Sequence, residues 1–218
     1  MELEKIVGWL DHVLKVRDFD DVSNNGLQIA REGGEIGKAA FAVDGSRKSI
    51  EAAAKCGAGL LVVHHGISWG GGIKTLTGSE YAAASAAIRA NVALYAVHLP
   101  LDANPEFGHN ALIARELGLH GLQKAFSYHG NMIGLVGVAP DGRKIGVCSG
   151  GGGEFAVEAK ALGCDLFVTG EANWGERIAA ENVGMAMECR GHYETELYGI
   201  RALAAKMAAE LGLATEVV

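Results

Sequence analysis

Apolar residues follow two patterns along this chain, one with the spacing of a helix and one with the compactness of a buried strand. In residues 3 to about 16, apolar side chains recur every three or four positions, which predicts an amphipathic helix. Residues 38–43, 61–63 and 92–98 are short apolar runs and predict strands. Polar or glycine-rich stretches and helical patterns separate these runs, which is typical of βαβ units in an α/β fold.

The remaining pattern predicts further elements in the same alternating order. Residues 144–147 predict a strand, and residues 18–28 predict a loop with a strong turn signal at 23–26. Other helices are expected where the periodicity and the capping residues agree, namely from the cap at 44–46 to about 56, and over 79–90, 110–117, 154–162 and 194–210.

The second half of the chain repeats the plan of the first half. Residues 163–171 align with residues 57–65, since both begin with glycine, continue as an apolar run and end in polar residues. This alignment places Glu171 opposite His65. We therefore predict an α/β protein of two similar lobes with mixed sheets flanked by helices. The lobes are expected at residues 1–124 and 125–218, with the C-terminal helix packing back on the first lobe.

Composition and charge exclude several classes of protein. The 218 residues are 49% hydrophobic and 21% charged, as in ordinary globular proteins, and the net charge of −7 disfavours a nucleic-acid partner. No run of 18 apolar residues predicts a membrane span, and the first residues lack the layout of a secretion signal, so a cytoplasmic protein is expected. The four cysteines form no CxxC pair, which predicts reduced, buried thiols.

Two adjacent histidines, His64 and His65, come directly after the predicted strand at 61–63 and before a glycine-rich loop. Ligands of open α/β sheets bind beyond the carboxyl ends of strands, and two imidazoles there suit a transition metal. The alternation of side chains relaxes where a strand opens into a loop, so both rings could turn towards one point. The alternative is that the two histidines are polar residues that merely close a strand.

Carboxylates and a further histidine also occur where predicted strands end or a predicted helix begins. Asp102 follows the strand at 92–98, and His192 and Glu196 are four residues apart at a predicted helix start, which puts them on one face. Together with His64 and His65 they make more candidate ligands than one tetrahedral zinc binds, and this number suits two ions about 3.5–4 Å apart. Glu171 and His98 are candidates for orienting ligands or for transferring protons.

Four blocks of the chain resemble one known family. The blocks Asn25-Gly26-Leu27-Gln28, His64-His65-Gly66, His98-Leu99-Pro100-Leu101-Asp102-Ala103 and Gly191-His192-Tyr193-Glu194-Thr195-Glu196 are similar to those of the Nif-three-like family of dinuclear metal-centre proteins, also named GTP cyclohydrolase I type 2. The similarity runs in order over essentially the whole chain and matches the short bacterial form. It implies that His64, His65, Asp102, His192 and Glu196 are metal ligands in a cleft between two α/β domains. It also implies a ring-shaped hexamer.

The residues and the resemblance together favour a hydrolase that uses two divalent ions, with iron, zinc or manganese preferred and magnesium also compatible. A hydroxide held by the ions would attack a nucleotide ring carbon, as the cyclohydrolase name implies, or a phosphoester. The substrate is expected to be a small molecule, such as a nucleotide. The alternative is a non-catalytic metal-binding ring with a regulatory or scaffolding role.

Two glycine- and polar-rich segments allow more than one interpretation. The four glycines at 150–153 stand between a strand and a helix, where backbone N–H groups can bind an anion or where close packing can require glycine. The polar residues at 18–28 either border a pocket or serve only as a turn.

Overall fold

A computed structural model describes the chain from Met1 to Val218, and it contains eight α-helices and ten strands. None of the helices combines the length and the apolar character that a bilayer crossing requires. The elements in chain order are α1 (Leu3–Leu14), β1 (Gly26–Ile29), β2 (Lys38–Asp44), α2 (Arg47–Lys55), β3 (Leu60–His65), α3 (Gly78–Ala90), β4 (Ala93–Ala96), α4 (Leu99–Asp102), α5 (His109–Glu116), β5 (His120–Tyr128), β6 (Asn131–Val138), β7 (Lys144–Cys148), α6 (Ala156–Ala161), β8 (Leu166–Thr169), α7 (Trp174–Asn182), β9 (Ala186–Cys189), α8 (His192–Leu211) and β10 (Ala214–Val217).

The chain divides into two compact units. The first consists of residues 1–101 and 200–218, and the second of residues 102–199. These bounds differ from the predicted lobes of 1–124 and 125–218. Residues 102–124 belong to the second unit because β5 pairs with β6, and the last residues belong to the first unit because β10 pairs with β2.

The first unit contains a five-stranded mixed sheet in the order β1-β4-β3-β2-β10. Strands β4, β3, β2 and β10 are parallel, and β1 runs antiparallel to β4 at the edge. Small side chains of α2 and α3, such as Ala53 and Ala87, pack with Leu61 and Val63 of β3 in one apolar core. Because alanine leaves the helix backbone close to the sheet, the continuous apolar runs predicted as strands are fully covered.

The second unit contains another five-stranded mixed sheet, in the order β5-β6-β7-β8-β9. Strands β7, β8 and β9 are parallel, whereas β5 and β6 form an antiparallel hairpin that continues into β7. The apolar core of this unit includes Ile113 and Ala114 of α5 packed with Ile145, Val147 and Val168 of the sheet. The expected fold class, α/β with two mixed sheets flanked by helices, is confirmed.

The predicted internal repeat is present in the backbone hydrogen bonds. The N–H of Gly59 donates to the carbonyl of Lys38, and the N–H of Asp165 donates to the carbonyl of Lys144. Each member of the second pair lies 106 positions after its counterpart. The turn before each strand also needs the same left-handed glycine, with φ of 78° at Gly57 and 77° at Gly163. Strands β2-β3-β4 and β7-β8-β9 are therefore equivalent parts of the two units.

Several strands were not predicted. The loop expected at 18–28 ends in β1, whose residues pair with β4. The hairpin β5-β6 and the final strand β10 also went unpredicted, because a strand of four residues such as β10 and a hairpin with a bulge such as β5-β6 carry little periodicity. The predicted change from strand to loop before His64 is wrong as well, since β3 continues through His65, which pairs with Asp44.

Candidate metal centre

Three histidines of the first unit meet at the carboxyl ends of neighbouring strands. The rings of His64 and His65 have centroids 4.6 Å apart, and the ring of His98 lies 5.0 Å and 5.8 Å from them. A potential ligand atom of each residue lies within 4.8 Å of one from each of the others. The two adjacent histidines thus converge although they belong to one strand, because they occupy its last two positions.

The hydrogen bonds at the Nδ1 atoms determine which nitrogen each ring presents. Nδ1 of His64 lies 3.0 Å from the carbonyl oxygen of Val97, which can only accept, so this Nδ1 carries the proton. Nδ1 of His65 and of His98 lie 2.9 Å from carboxylates of Asp44 and Asp21 in the same way. In the neutral form of each of these rings, the lone pair is therefore on Nε2, as in metal-binding histidines whose other nitrogen contacts a carbonyl or carboxylate.

Asp21 is the central acceptor of the loop before β1. Besides His98, it accepts hydrogen bonds from the backbone N–H of Leu99 at 2.9 Å and of Ser23 at 3.0 Å, and from the amide of Asn25 at 2.7 Å. Burial alone would raise the pKa of Asp21, but the hydrogen bond and charge of His98, aided by the other donors, lower it to about 2. The loop is therefore built around an ionised carboxylate that orients His98.

Gln28 of β1 holds the loop that follows His65. Its Oε1 accepts from the backbone N–H of Ile67 at 2.7 Å and of Ser68 at 3.1 Å, while its Nε2 donates to the carbonyl of Asn24 at 2.8 Å. The polar residues between 18 and 28 are thus more than a turn, since they contact both the loop that follows His65 and the side chain of His98.

In the second unit, Asp102 is buried and has a hydrogen-bonded environment. The hydroxyl of Ser149 donates to Asp102 Oδ1 at 3.2 Å. The backbone N–H of Ser149 in turn donates to the side chain of Asn110 at 2.7 Å. These contacts connect the Asp102 carboxylate to the carboxyl end of β7.

The pair formed by His192 and Glu196 has the geometry that its spacing predicts. Nε2 of His192 lies 3.0 Å from Oε1 of Glu196 on the first turns of α8, and Nδ1 lies 2.9 Å from Oε1 of Glu171. The hydrogen bond with Glu196, partly opposed by burial and aided by Glu171, raises the pKa of His192 to about 9. A metal ion that bound Nε2 at neutral pH would therefore have to displace a proton.

The glycine turn at 150–153 owes its composition to close packing. A Cβ on Gly150, where φ is +62°, would overlap the carboxylate of Glu196 and lie 3.3 Å from Nε2 of His192. The N–H of Gly150 donates to the hydroxyl of Thr195 at 3.0 Å, so it is already engaged within the protein. Of the two interpretations of this turn, the structure favours packing over an anion cradle.

The donors in the two units are imidazole nitrogens and carboxylate oxygens rather than thiolates. Cys148 and Cys164 are buried, as expected, while Cys56 and Cys189 are half-buried. Burial, together with nearby carboxylates such as Asp102, raises the pKa of the Cys148 thiol, so it stays protonated. Histidine with carboxylate is a ligand set suited to iron, manganese or zinc.

Comparison with known proteins identifies the family. The sequence profile of Duf34/NIF3 (NGG1p interacting factor 3) matches residues 1–143 and 138–218. The chain belongs to the DUF34/NIF3 family. Relatives of this family named "GTP cyclohydrolase 1 type 2 homolog" include one from Archaeoglobus fulgidus, 38% identical over 98% of this chain and 96% of the relative. Another, from Deinococcus radiodurans, is 37% identical over 96% of this chain and 90% of the relative.

Solved structures agree with this membership of the DUF34/NIF3 family. The protein ybgI, whose function is given as unknown, has a TM-score of 0.90 and 25% identity, covering 100% of this chain and 98% of its own. TTHA1606 from Thermus thermophilus has a TM-score of 0.83 and 30% identity, covering 100% of this chain and 97% of its own. The resemblance found in the four sequence blocks is therefore confirmed at the level of the family.

The structure brings the predicted residues together within each unit. His64, His65 and His98 form one cluster, and His192 contacts both Glu171 and Glu196. The partners Asp21 and Asp44 were missed, although Asp21 lies only four residues before the block at 25–28 that carried the resemblance. Asp44 was interpreted as part of a helix cap, but Ser46 caps α2 and Asp44 instead contacts His65.

Proposed function

We propose that this protein is a metal-dependent hydrolase in which five residues bind two divalent ions. The proposed ligands are His64 and His65 of the first unit and Asp102, His192 and Glu196 of the second. One observation carries the proposal: every candidate ligand histidine has its Nδ1 beside a carbonyl or carboxylate oxygen. Surface histidines have no need for such partners, whereas metal ligands almost always have them.

The residues fit a pair of ions by their chemistry as well. Imidazole Nε2 atoms and two carboxylates suit iron, manganese or zinc, with magnesium as a weaker alternative. Carboxylates can bridge two ions because each offers two oxygens, and Asp102 and Glu196 are both buried. When bound, such ions supply positive charge that polarises an electrophilic substrate and acidifies water.

His98 is the proposed group for proton transfer. Its Nδ1–H is directed at Asp21, so Nε2 is the atom that can take up a proton. The ionised Asp21 stabilises the imidazolium that would result, much as a buried aspartate supports the histidine of a catalytic triad.

Glu171 is the second candidate for proton transfer, in addition to orienting His192. Its Oε1 accepts from Nδ1 of His192, yet its side chain is 61% exposed, so the carboxylate stays open to solvent. A carboxylate in this position can pass a proton between solvent and the neighbouring imidazole.

The substrate class follows from the family rather than from a base-recognition pattern. Relatives carry the name GTP cyclohydrolase 1 type 2 homolog, so attack on a nucleotide ring carbon is one candidate reaction. Hydrolysis of a phosphoester needs the same charge and the same proton transfer, and it is the second candidate. We further propose a cytoplasmic protein that assembles as a homohexameric ring.

The proposal is tested with protein loaded separately with Fe²⁺, Mn²⁺, Zn²⁺ or Mg²⁺, after elemental analysis of the ions per chain. Each form is assayed with GTP and with a panel of phosphoesters, beside His64→Ala and the exposed-site control His120→Ala. We expect metal-dependent turnover that His64→Ala lowers at least 100-fold, an order of magnitude typical of lost metal-site function, and that His120→Ala preserves.

Two results would contradict the hydrolase. Equal turnover in wild type and His64→Ala would show that any activity lies elsewhere. Two bound ions without turnover of any substrate would favour the alternative, a non-catalytic metal-binding ring with a regulatory or scaffolding role.

A further inference from the structure

His109 of the second unit is a buried histidine to which the sequence assigns no role. It begins α5 and its exposed fraction is 0%. The backbone N–H of Gly199, in α8, donates a hydrogen bond to Nδ1 of His109 at 3.0 Å. This contact joins residues 90 positions apart and holds the ring in one orientation.

The direction of that hydrogen bond determines the tautomer of His109. A backbone N–H can only donate, so Nδ1 must offer its lone pair, and the proton of the neutral ring is on Nε2. This is the reverse of His64, whose Nδ1 carries the proton because it faces the carbonyl of Val97. His64 therefore presents a lone pair at Nε2, whereas His109 presents an N–H.

Gly199 is the residue type that this arrangement requires. A Cβ at position 199 would lie 2.7 Å from Nδ1 and 2.8 Å from Cε1 of the His109 ring, which is closer than side-chain contacts allow. A glycine inside a helix lowers stability. Its presence at the point of contact therefore indicates that position 199 requires glycine so that the His109 ring can approach the helix backbone.

We propose that His109 is a positioning residue that donates its Nε2–H to the carboxylate of Asp102 and is not itself a metal ligand. A ring nitrogen of His109 and a carboxylate oxygen of Asp102 lie within 4.8 Å of one another. Ser149 already donates to Oδ1 of this carboxylate. The inference rests on the proposed function, because it assigns His109 a role in presenting a ligand of the proposed metal site.

Two donors on one carboxylate have a defined chemical effect. Hydrogen bonds from Ser149 and His109 fix the plane of the Asp102 carboxylate, while each oxygen retains a lone pair for an ion. Because Nδ1 of His109 accepts from the N–H of Gly199 and Nε2 carries the proton, the ring has no lone pair left for an ion, so proximity to Asp102 does not make His109 a ligand.

The tautomer is tested first, in metal-free wild-type protein, by ¹⁵N NMR of the imidazole nitrogens. We expect the Nε2–H form at His109 and the Nδ1–H form at His64. After loading with ¹¹³Cd²⁺ alone, ¹¹³Cd–¹⁵N coupling is expected at His64 and absent at His109. An Nδ1–H tautomer at His109, or a coupling to cadmium there, would overturn the inference.

The positioning role is tested by titrating variants with Zn²⁺ alone, which measures affinity rather than activity. His109→Phe keeps a ring but removes both hydrogen bonds, and we expect Zn²⁺ affinity to fall about 10–100-fold. The side chain of His109→Gln can accept a hydrogen bond from Gly199 and still donate one to Asp102, so this variant should recover most of the lost Zn²⁺ affinity. His120→Phe, at an exposed histidine of the same unit, is the control.

The outcomes separate this inference from the proposed function. Wild-type Zn²⁺ affinity in a folded His109→Phe, or no difference between the Phe and Gln variants, would overturn the role of His109. If His109→Phe does not fold, the comparison of His109→Gln with wild type and the ¹⁵N measurement decide. Failure of the wild type to bind Zn²⁺ or Cd²⁺ would instead refute the metal site, whatever the tautomer.

Discussion

At the scale of single residues, the position of one proton decides what each histidine can do. His65 and His98 face carboxylates through Nδ1 and so present a basic Nε2, whereas His109 accepts at Nδ1. Residue identity is the same in all three cases, and only the partner differs. Asp21 is the most consequential of these partners, because its side chain is 2% exposed and serves four donors.

Replacement of Asp21 by Asn should reveal its charge as a pH-dependent loss of stability. The pKa of Asp21 is lowered from 3.8 to about 2, so its ionised form stabilises the fold above pH 4, and this contribution disappears as the pH falls towards 2. We expect Asp21→Asn to lose about 2 kcal/mol at pH 7 relative to wild type, from 1.36 kcal/mol per pKa unit.

Urea unfolding of the metal-free proteins at pH 7, 4, 3 and 2.5 measures this difference, with Asp18→Asn at an exposed carboxylate as the control. The gap between wild type and Asp21→Asn should close towards pH 2.5. A gap of constant size over this range would mean that the charge of Asp21 is not what stabilises the loop.

At the scale of elements, the carboxyl end of β3 depends on the edge strand β1. Gln28 accepts the N–H groups of Ile67 and Ser68, so the segment after His65 is held by a residue nearly 40 positions away. Gly66 lies against this contact, and a Cβ there would overlap the Gln28 amide and lie 2.6 Å from the Cβ of Ala96. The glycine after the two histidines is thus a packing requirement.

Gly66→Ala should therefore destabilise the first unit by about 1–3 kcal/mol, the usual cost of overpacking. The matched control is Gly71→Ala in the same loop, where the new Cβ would meet only Lys74 at an ordinary 3.7 Å. Thermal and urea unfolding compare the two variants. Equal stability of Gly66→Ala and Gly71→Ala would contradict the packing argument.

At the scale of the whole molecule, the proposed ligands are divided between the two units, with His64 and His65 in one and Asp102, His192 and Glu196 in the other. Neither set alone supplies the ligands that two ions need. The repeated β-strand arrangement explains why both units offer side chains at strand ends, although the residue types differ between His65 and Glu171.

Removing a ligand from either unit should therefore have the same effect on metal binding. Wild-type protein saturated with Zn²⁺ at about 1,000 times the Kd of each site should gain about 4 kcal/mol of stability per bound ion. We expect His64→Ala and Glu196→Gln each to bind fewer than two ions and to lose most of this gain, unlike His120→Ala. Elemental analysis and unfolding with and without Zn²⁺ measure both effects. Glu196→Gln with wild-type stoichiometry would contradict the proposed ligand set.

The sequence alone determined what depends on short-range geometry. The apolar runs predicted the central parallel strands, and the four-residue spacing of His192 and Glu196 predicted a contact that the helix repeat makes unavoidable. The adjacency of His64 and His65 likewise predicted neighbouring rings. Edge strands such as β1 and β10 escaped prediction because four residues carry too little pattern to distinguish a strand from a loop.

Only the tertiary structure decided which atom of each histidine is available. Asp21 contacts His98 across 77 positions, Glu171 contacts His192 across 21, and Gly199 contacts His109 across 90. Hydrogen-bond direction sets the tautomer, and the partners are brought together by sheet order and strand register rather than by any local spacing. The residue types that can bind a metal were therefore visible in the chain, whereas the difference between a ligand and its support required the fold.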